Sequence, residues 1–374
     1  MTKFQYFVSF LILILIIIAT AGSALFYYQK TSLSLSSEKS CTMKKINFNI
    51  SNSKITNLTQ LSKYNEICKS QIADNLMIFS DIPNNLEKVS ASIISLQSRI
   101  FEITKYNLIP LIVLEPTFEN ANISFNKLAS TEYNVIWDKY FSELVKFSPN
   151  LEAEWIFLPE SNTPIWDQSN FNISDFGLII NQFGNNLKKY FPNNKLDLLF
   201  DSKSYDWSDK KWQKPSNQNF NQYLTKINKK LISKLWLQGF PYLPRRSEIP
   251  ANKQTIRIND YLNIEILKQS ADYLEIKEVG INTGTFSQKY LLAKDQINLT
   301  NDERENLQNS IIKIIQTLKN QGYTASLNLF LQNKLDTTEK TNWSYLDTPE
   351  SIELFRQFIY KLNSNKIEIS IFDS

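Results

Sequence analysis

The strongest constraint on this chain is a cadence. Seven apolar runs recur about every forty residues, with a weaker eighth ahead of them, and each of the seven carries a polar residue at or near its end. The runs are Leu76 to Asp81, Leu108 to Glu115, Ala153 to Glu160, Leu196 to Asp201, Lys234 to Phe240, Leu274 to Asn282 and Thr324 to Phe330; the weaker one is Ile46 to Ile50. Their polar ends are Asp81, Glu115, Glu160, Asp201, Gln238, Asn282 and Asn328. Between the runs lie residues spaced by three and four, such as Val89, Ile93, Leu96 and Ile100, or Ile136, Tyr140, Phe141 and Leu144. Phe176, Ile179, Ile180, Phe183 and Leu187, and Leu307, Ile311, Ile314, Ile315 and Leu318, repeat the pattern. That spacing turns one apolar helix face toward a sheet. Turn residues such as Phe191-Pro192-Asn193-Asn194 and Asn320-Gln321-Gly322 precede the next strand. The alternation predicts a (β/α)8 TIM barrel over residues 42–374, with its chemistry at the strand tips. A helix from Ile352 to Leu362 is expected to close the ring, leaving Ile367 to Phe372 as a surplus strand.

The first thirty residues follow different rules. Phe7 to Ala24 is nearly uninterrupted Ile, Leu, Val, Phe and Ala behind Lys3, long enough to span a bilayer. Two readings stand: a signal peptide cut near Ala21 or Ala24, or an uncleaved anchor over residues 1–28 ending in Phe26, Tyr27 and Tyr28 at interfacial positions. Both export the remainder, so the main domain is expected outside the cytoplasmic membrane. Residues 29–41, rich in Ser, Thr and Lys, read as a linker.

Charge and rare residues exclude several classes. The formal net charge is +4 with no basic block, so nucleic-acid binding lacks its footprint. The chain has 0 histidines, which removes a Ser-His-Asp triad, a Cys-His dyad and a His-ligated zinc. Acid-base work falls to carboxylates, lysine or tyrosine. With 7 glycines in the chain there is no phosphate-cradling loop. No cofactor and no metal are expected. Cys41 and Cys68 either pair across the first βα unit or stay as two buried thiols.

The sharpest local signal is Trp155-Ile156-Phe157-Leu158-Pro159-Glu160-Ser161-Asn162, followed by Trp166. A glutamate beside an aromatic wall can hold its proton and act as a general acid, because desolvation penalises the carboxylate. A rim glutamate paired with a lysine or arginine is the plainer alternative. Trp166, Trp207, Trp212, Phe240, Tyr242 and Trp343 fall at or soon after strand ends, where flat rings pack on sugar faces while nearby Asn, Gln and Asp bond hydroxyls. Some of these rings are expected instead as loop anchors. Tyr205, four residues past Asp201, is placed to orient a carboxylate. Arg245 and Arg246 follow the sixth run and read as a solvated pair or as contacts to an anionic glycan.

The run Ile109-Pro110-Leu111-Ile112-Val113-Leu114-Glu115-Pro116, then Glu160-Ser161-Asn162 and Trp166, resembles the clan of TIM-barrel glycoside hydrolases that includes the family 26 mannanases. The likeness covers most of residues 75 to 345. In that clan a strand-three Glu-Pro precedes a strand-four His-Glu-Met-Asn with a tryptophan soon after, and the strand-four glutamate is the acid/base. The resemblance implies that role for Glu160, with Pro159 where the clan has histidine. The clan's nucleophile is a second glutamate at the tip of strand seven, where this chain has Asn282. An amide cannot attack as a carboxylate does. Three routes remain: Asp201 or Glu115 activates water in an inverting arrangement, the substrate supplies its own nucleophile, or Glu278 reaches the site. Strand parity puts Glu278 on the face of Asn282 but about 13 Å deeper.

The resulting expectation is a membrane-tethered, extracytoplasmic glycoside hydrolase-like barrel acting on a polysaccharide of β-mannan type or similar. Its catalytic candidates are Glu160, Asp201 and Glu115. Its sugar contacts are Asn162, Trp166, Tyr205, Gln238, Phe240, Asn282, Asn328 and Trp343. The rival reading is a glycan-binding barrel that has lost hydrolysis.

Overall fold

The computed structural model describes residues 46–50, 56–69, 72–73, 75–115, 125–163, 173–206, 211–215, 220–240, 261–284, 290–292, 295–297, 300–331, 333–334, 341–342, 344–346 and 348–364. The apolar segment Phe7 to Ala24, the linker 29–41 and Ile367 to Phe372 lie outside them. Cys41–Ser374 forms one compact unit. Among the described residues no helix is long and apolar enough to cross a membrane.

Eight parallel strands close into a barrel: β1 Ile46–Ile50, β2 Asn75–Asp81, β3 Ile109–Glu115, β4 Glu154–Phe157, β5 Lys195–Asp201, β6 Ile232–Gln238, β7 Glu278–Thr283 and β8 Thr324–Leu329. The weak first run is the closing strand, pairing with β8 on one side and β2 on the other. Around the barrel run α1 Thr56–Cys68, α2 Val89–Thr104, α3 Thr131–Phe147, α4 Ile173–Tyr190, α5 Ile264–Leu274, α6 Asn301–Asn320 and α7 Pro349–Ser364. After β5 the chain makes a hairpin, Lys203–Asp206 with Lys211–Pro215, and two short helical turns in place of a long helix.

The helix faces read from the spacing are buried: Val89, Ile93, Leu96 and Ile100 on α2, and Ile136, Tyr140, Phe141 and Leu144 on α3. Ile314 on α6 is the exception, half-buried at the margin while Ile312 turns inward. Aromatic rings fill the layer between α3, α4 and β4: Trp137 meets Phe157 at 5.1 Å and Phe183 at 5.2 Å, and Phe157 stacks on Phe183 at 4.2 Å. Rings offset or edge-on in this way bind by their quadrupoles as well as by buried area.

The barrel interior is set by β-strand parity. Lys234, Trp236 and Gln238 share the face that Glu278, Gly280 and Asn282 present on the next strand, pair by pair. Gly280 is required there, because a Cβ at that position would sit 2.1 Å from the Trp236 ring. The indole is wholly buried and plugs the barrel centre.

Two boundaries differ from expectation. Leu274 does not open β7; it ends α5, whose buried stripe Ile266, Leu267, Ser270, Ala271 and Leu274 has helical spacing and whose cap, Glu275, is left-handed at φ 63°. β4 ends at Phe157 instead of Glu160, because Leu158 and Glu160 take φ 56° and 53° on either side of Pro159. Cys68 is disulfide-bonded and no cysteine is free, while Cys41 lies outside the described residues.

Candidate functional site

The C-terminal strand ends bring the sequence candidates to one rim. Asp81 and Glu115 are in register on β2 and β3, and Asp201, Gln238, Asn282 and Asn328 are in register from β5 to β8. The rim is therefore acidic from β2 to β5 and amide from β6 to β8.

Glu160 reaches this rim from a turn. Its N–H donates to Leu199 O of β5 at 2.8 Å, while the Leu158 N–H donates to Leu114 O of β3 at 3.1 Å, so the backbone stays stitched to both neighbours beyond the strand. Two non-glycine residues in the left-handed region cost on the order of 1–2 kcal/mol each, and strain of this kind concentrates at functional sites. The turn is held by Thr163 Oγ1, which donates to Glu160 O at 2.8 Å, and by Ser161 Oγ, which donates to Leu158 O at 3.0 Å.

The Glu160 carboxylate is half-buried and accepts a hydrogen bond at Oε1 from Gln238 Nε2. Gln238 Oε1 in turn accepts from Asn282 Nδ2 at 2.6 Å, and Asn282 Oδ1 accepts from Asn328 Nδ2 at 2.6 Å. Asn328 Nδ2 also faces Met77 Sδ of β2 at 3.5 Å, across the barrel. Gln238, Asn282 and Asn328 are 8%, 2% and 0% exposed. Asn282 and Asn328 are therefore interior struts with no face open to a ligand, which corrects their reading as sugar contacts. Asn162 is corrected in the same way: its side chain clamps the Asp201 backbone, donating to Asp201 O at 2.8 Å and accepting from Asp201 N at 3.0 Å. It locks the Glu160 turn to the tip of β5.

Two carboxylates consequently stand beside Gln238. Glu160 is bonded to it, and Asp201 is its register partner one strand away, about 4.8 Å between backbones. Glu115 is half-buried on β3, and Ile82 N–H donates to its carbonyl at 2.9 Å. Phe240, half-buried just past β6, packs edge-on against Phe330 at 5.6 Å and is the described aromatic ring of the rim. Tyr205 and Trp212 are register partners on the hairpin after β5, above the same rim. Trp166, Trp207, Tyr242, Arg245, Arg246 and Trp343 lie outside the described residues. Among the described residues no cluster of His, Cys, Asp and Glu is arranged to hold a metal ion. A cavity of about 490 Å³ lies at the opposite end of the barrel, between the C-terminal ends of α2 and α3, lined by Ile100, Phe101, Phe147 and Pro149 among others.

Below the rim is a buried ionic cluster that sequence reading missed. Lys234 Nζ donates to Glu154 Oε2 at 3.0 Å, and Trp236 Nε1 donates to Asp197 Oδ2 at 3.0 Å. Burial pushes the Asp197 carboxyl up to about 7 against the pull of Lys234, and Glu154 pushes it the same way. Burial works against the Lys234 ammonium, but Glu154 and Asp197 outweigh it and keep the lysine charged. One cation thus faces two carboxyls, and Asp197 is the one in excess. Glu278 lies at the start of β7 on the barrel floor and pairs with Lys195 at 3.3 Å, away from the rim. The signal was present as a parity pattern: Glu154, Asp197, Lys234 and Glu278 occupy inward positions of adjacent strands.

No known family profile matches the chain. In sequence, 157 residues are 25% identical to autophagy-related protein 11 of Candida albicans, covering 42% of this chain and 13% of that protein. In structure the barrel is similar to a fungal β-1,4-galactanase, with a TM-score of 0.51 and 10% identity over 84% of this chain and 98% of the other. It is similar to the family 26 β-mannanase of Bacteroides ovatus, with a TM-score of 0.51 and 12% identity over 84% and 88%. It is also similar to an exo-β-1,4-mannosidase from Opitutaceae bacterium strain TAV5, with a TM-score of 0.51 and 10% identity over 85% and 59%. At these identities the likeness is one of fold: the chain has a glycoside hydrolase-like α/β barrel.

Proposed function

We propose that this barrel binds a polysaccharide or oligosaccharide at its C-terminal rim and hydrolyses a glycosidic bond there, with Glu160 as proton donor and Asp201 as base. The supporting observation is the placement of those two carboxylates on either side of Gln238 in a fold shared with glycoside hydrolases. In an inverting step Glu160 protonates the leaving glycosidic oxygen while Asp201 takes a proton from the water that attacks the anomeric carbon. Each carboxyl thus exchanges its state, and the two reset through solvent. Inversion needs about 6.5–9.5 Å between the carboxyl groups, with room for water. Glu115 on β3 stands as an alternative base. Trp166, Tyr205, Phe240 and Trp343 supply the flat surfaces for sugar rings, and the exposed edge of Gln238 supplies a contact to a hydroxyl. The segment Phe7 to Ala24 tethers the barrel to a membrane with the domain outside the cytoplasm, or is cut to release it.

A second reading is favoured by Asn282. It occupies the place of the clan's nucleophile, and both ends of its amide are consumed by Gln238 and Asn328. A barrel that binds glycan without cleaving it fits this equally well. The test is product release from a panel of β-mannans, β-galactans, β-glucans and cell-wall glycans by the full chain, run beside Glu160→Gln and Asp201→Asn with binding recorded in the same samples. Cleavage lost in both variants supports hydrolysis. Binding without cleavage in all three proteins supports the receptor reading, and neither binding nor cleavage rejects a glycan role.

A further inference from the structure

The four groups Glu160, Gln238, Asn282 and Asn328 bond in only one self-consistent order. An ionised carboxylate can only accept, so Gln238 must turn its amide nitrogen to Glu160, which leaves its oxygen for Asn282. Asn282 must then offer nitrogen to Gln238 and oxygen to Asn328. Every N–H in the series points toward Glu160. The far end enforces the same direction. Asn328 Nδ2 faces Met77 Sδ, a thioether with no proton to give, at 3.5 Å. Asn328 is wholly buried and its Oδ1 has no partner. Reversing the series would replace that unpartnered carbonyl by an unpartnered buried NH2 and bring Oδ1 against the sulfur. Buried N–H groups without acceptors are the rarer and costlier defect.

We propose that Asn328, Asn282 and Gln238 act in series as positioning residues for Glu160, reserving its Oε1 as a fixed acceptor so that proton exchange with a ligand runs through Oε2. The proposal rests on the reading of Glu160 as the acid-base group of a glycan site. Dipoles aligned in series strengthen one another, so the last bond, made to a charge, carries the influence of an amide two residues away. Asn328 touches neither Glu160 nor the rim, yet it sets which oxygen of Glu160 is free.

The test is a pH titration of the Glu160 carboxyl carbon by 13C NMR on the full chain in detergent micelles, the signal being identified by its loss in Glu160→Gln. Removing the donor in Gln238→Met is expected to move the titration upward by about one pH unit, since a hydrogen bond to the charged form is lost. Gln238→Glu, nearly isosteric, is expected to move it further by adding a like charge. Asn328→Leu is expected to give a smaller shift of the same sign. The glycan-binding pH profile is expected to move with the titration in each variant. A merely structural role would lower the melting temperature and leave the titration in place; unchanged titration in folded Gln238→Met and Gln238→Glu overturns the proposal. Shifted titration without any glycan binding keeps the ladder and rejects the glycan reading, whereas glycan binding with an unmoved titration does the reverse.

Discussion

Asp197→Asn is expected to stabilise the protein at alkaline pH, although it removes a buried charge that lies near a lysine. The folded protein holds the Asp197 proton up to about 7, against 3.8 for the ordinary carboxyl, because burial and Glu154 together exceed the attraction of Lys234. Between those values the folded state binds more protons than the unfolded state, so stability falls as pH rises and the loss is complete above about 7. Three pH units correspond to about 4 kcal/mol. Asparagine imitates the protonated acid: its oxygen can accept from Trp236 Nε1, and its nitrogen takes the place of Oδ1, which has no partner. Lys234 then faces Glu154 alone in a balanced pair. Incomplete relaxation around the new amide leaves an expected gain of about 2–4 kcal/mol at pH 8, shrinking to near zero at pH 4. Urea unfolding of parent and variant at pH 4, 6 and 8 reads this directly. A variant less stable than the parent at pH 8, or a difference that does not change with pH, would refute the claim that Asp197 is the surplus carboxyl.

Two further outcomes follow from local packing. Gly280→Ala places a methyl 2.1 Å from the Trp236 indole and is expected to cost about 1–3 kcal/mol in chemical denaturation, with a change in tryptophan fluorescence as the ring is displaced. Thr300→Ala removes the capping box at the start of α6, where Thr300 Oγ1 accepts from Glu303 N at 3.2 Å and Glu303 Oε2 accepts from Thr300 N at 2.8 Å. Its expected cost is about 0.5–2 kcal/mol in the same assay, with no effect on glycan binding because α6 packs outside the barrel.

Much of the fold was legible because parallel strands buried on both faces read as apolar runs with polar tips. Leu111-Ile112-Val113-Leu114-Glu115 needed no tertiary information, and the weak run Ile46 to Ile50 was correctly the closing strand. Leu274 misled because helix α5 ends three residues before β7 begins, so an apolar helix end and an apolar strand form one stretch of sequence. Glu160 was legible as a rim residue but not as a turn residue, since nothing in Leu158-Pro159-Glu160 announces two left-handed non-glycine residues. The direction in which the amides point was beyond sequence. Asn162, Asn282 and Asn328 have the composition of a sugar-binding surface, and only their partners reveal that they bond the protein itself.

The most direct measurement of the central claim is a crystal structure of the full-length Glu160→Gln variant soaked with an oligosaccharide from whichever glycan the parent binds. The expected result is a sugar at the strand tips of β4 to β6, its glycosidic oxygen facing the side chain at position 160 and its anomeric carbon open to a water held by Asp201. Sugar seated instead in the cavity between α2 and α3, or a rim in which no sugar atom approaches position 160, would contradict it.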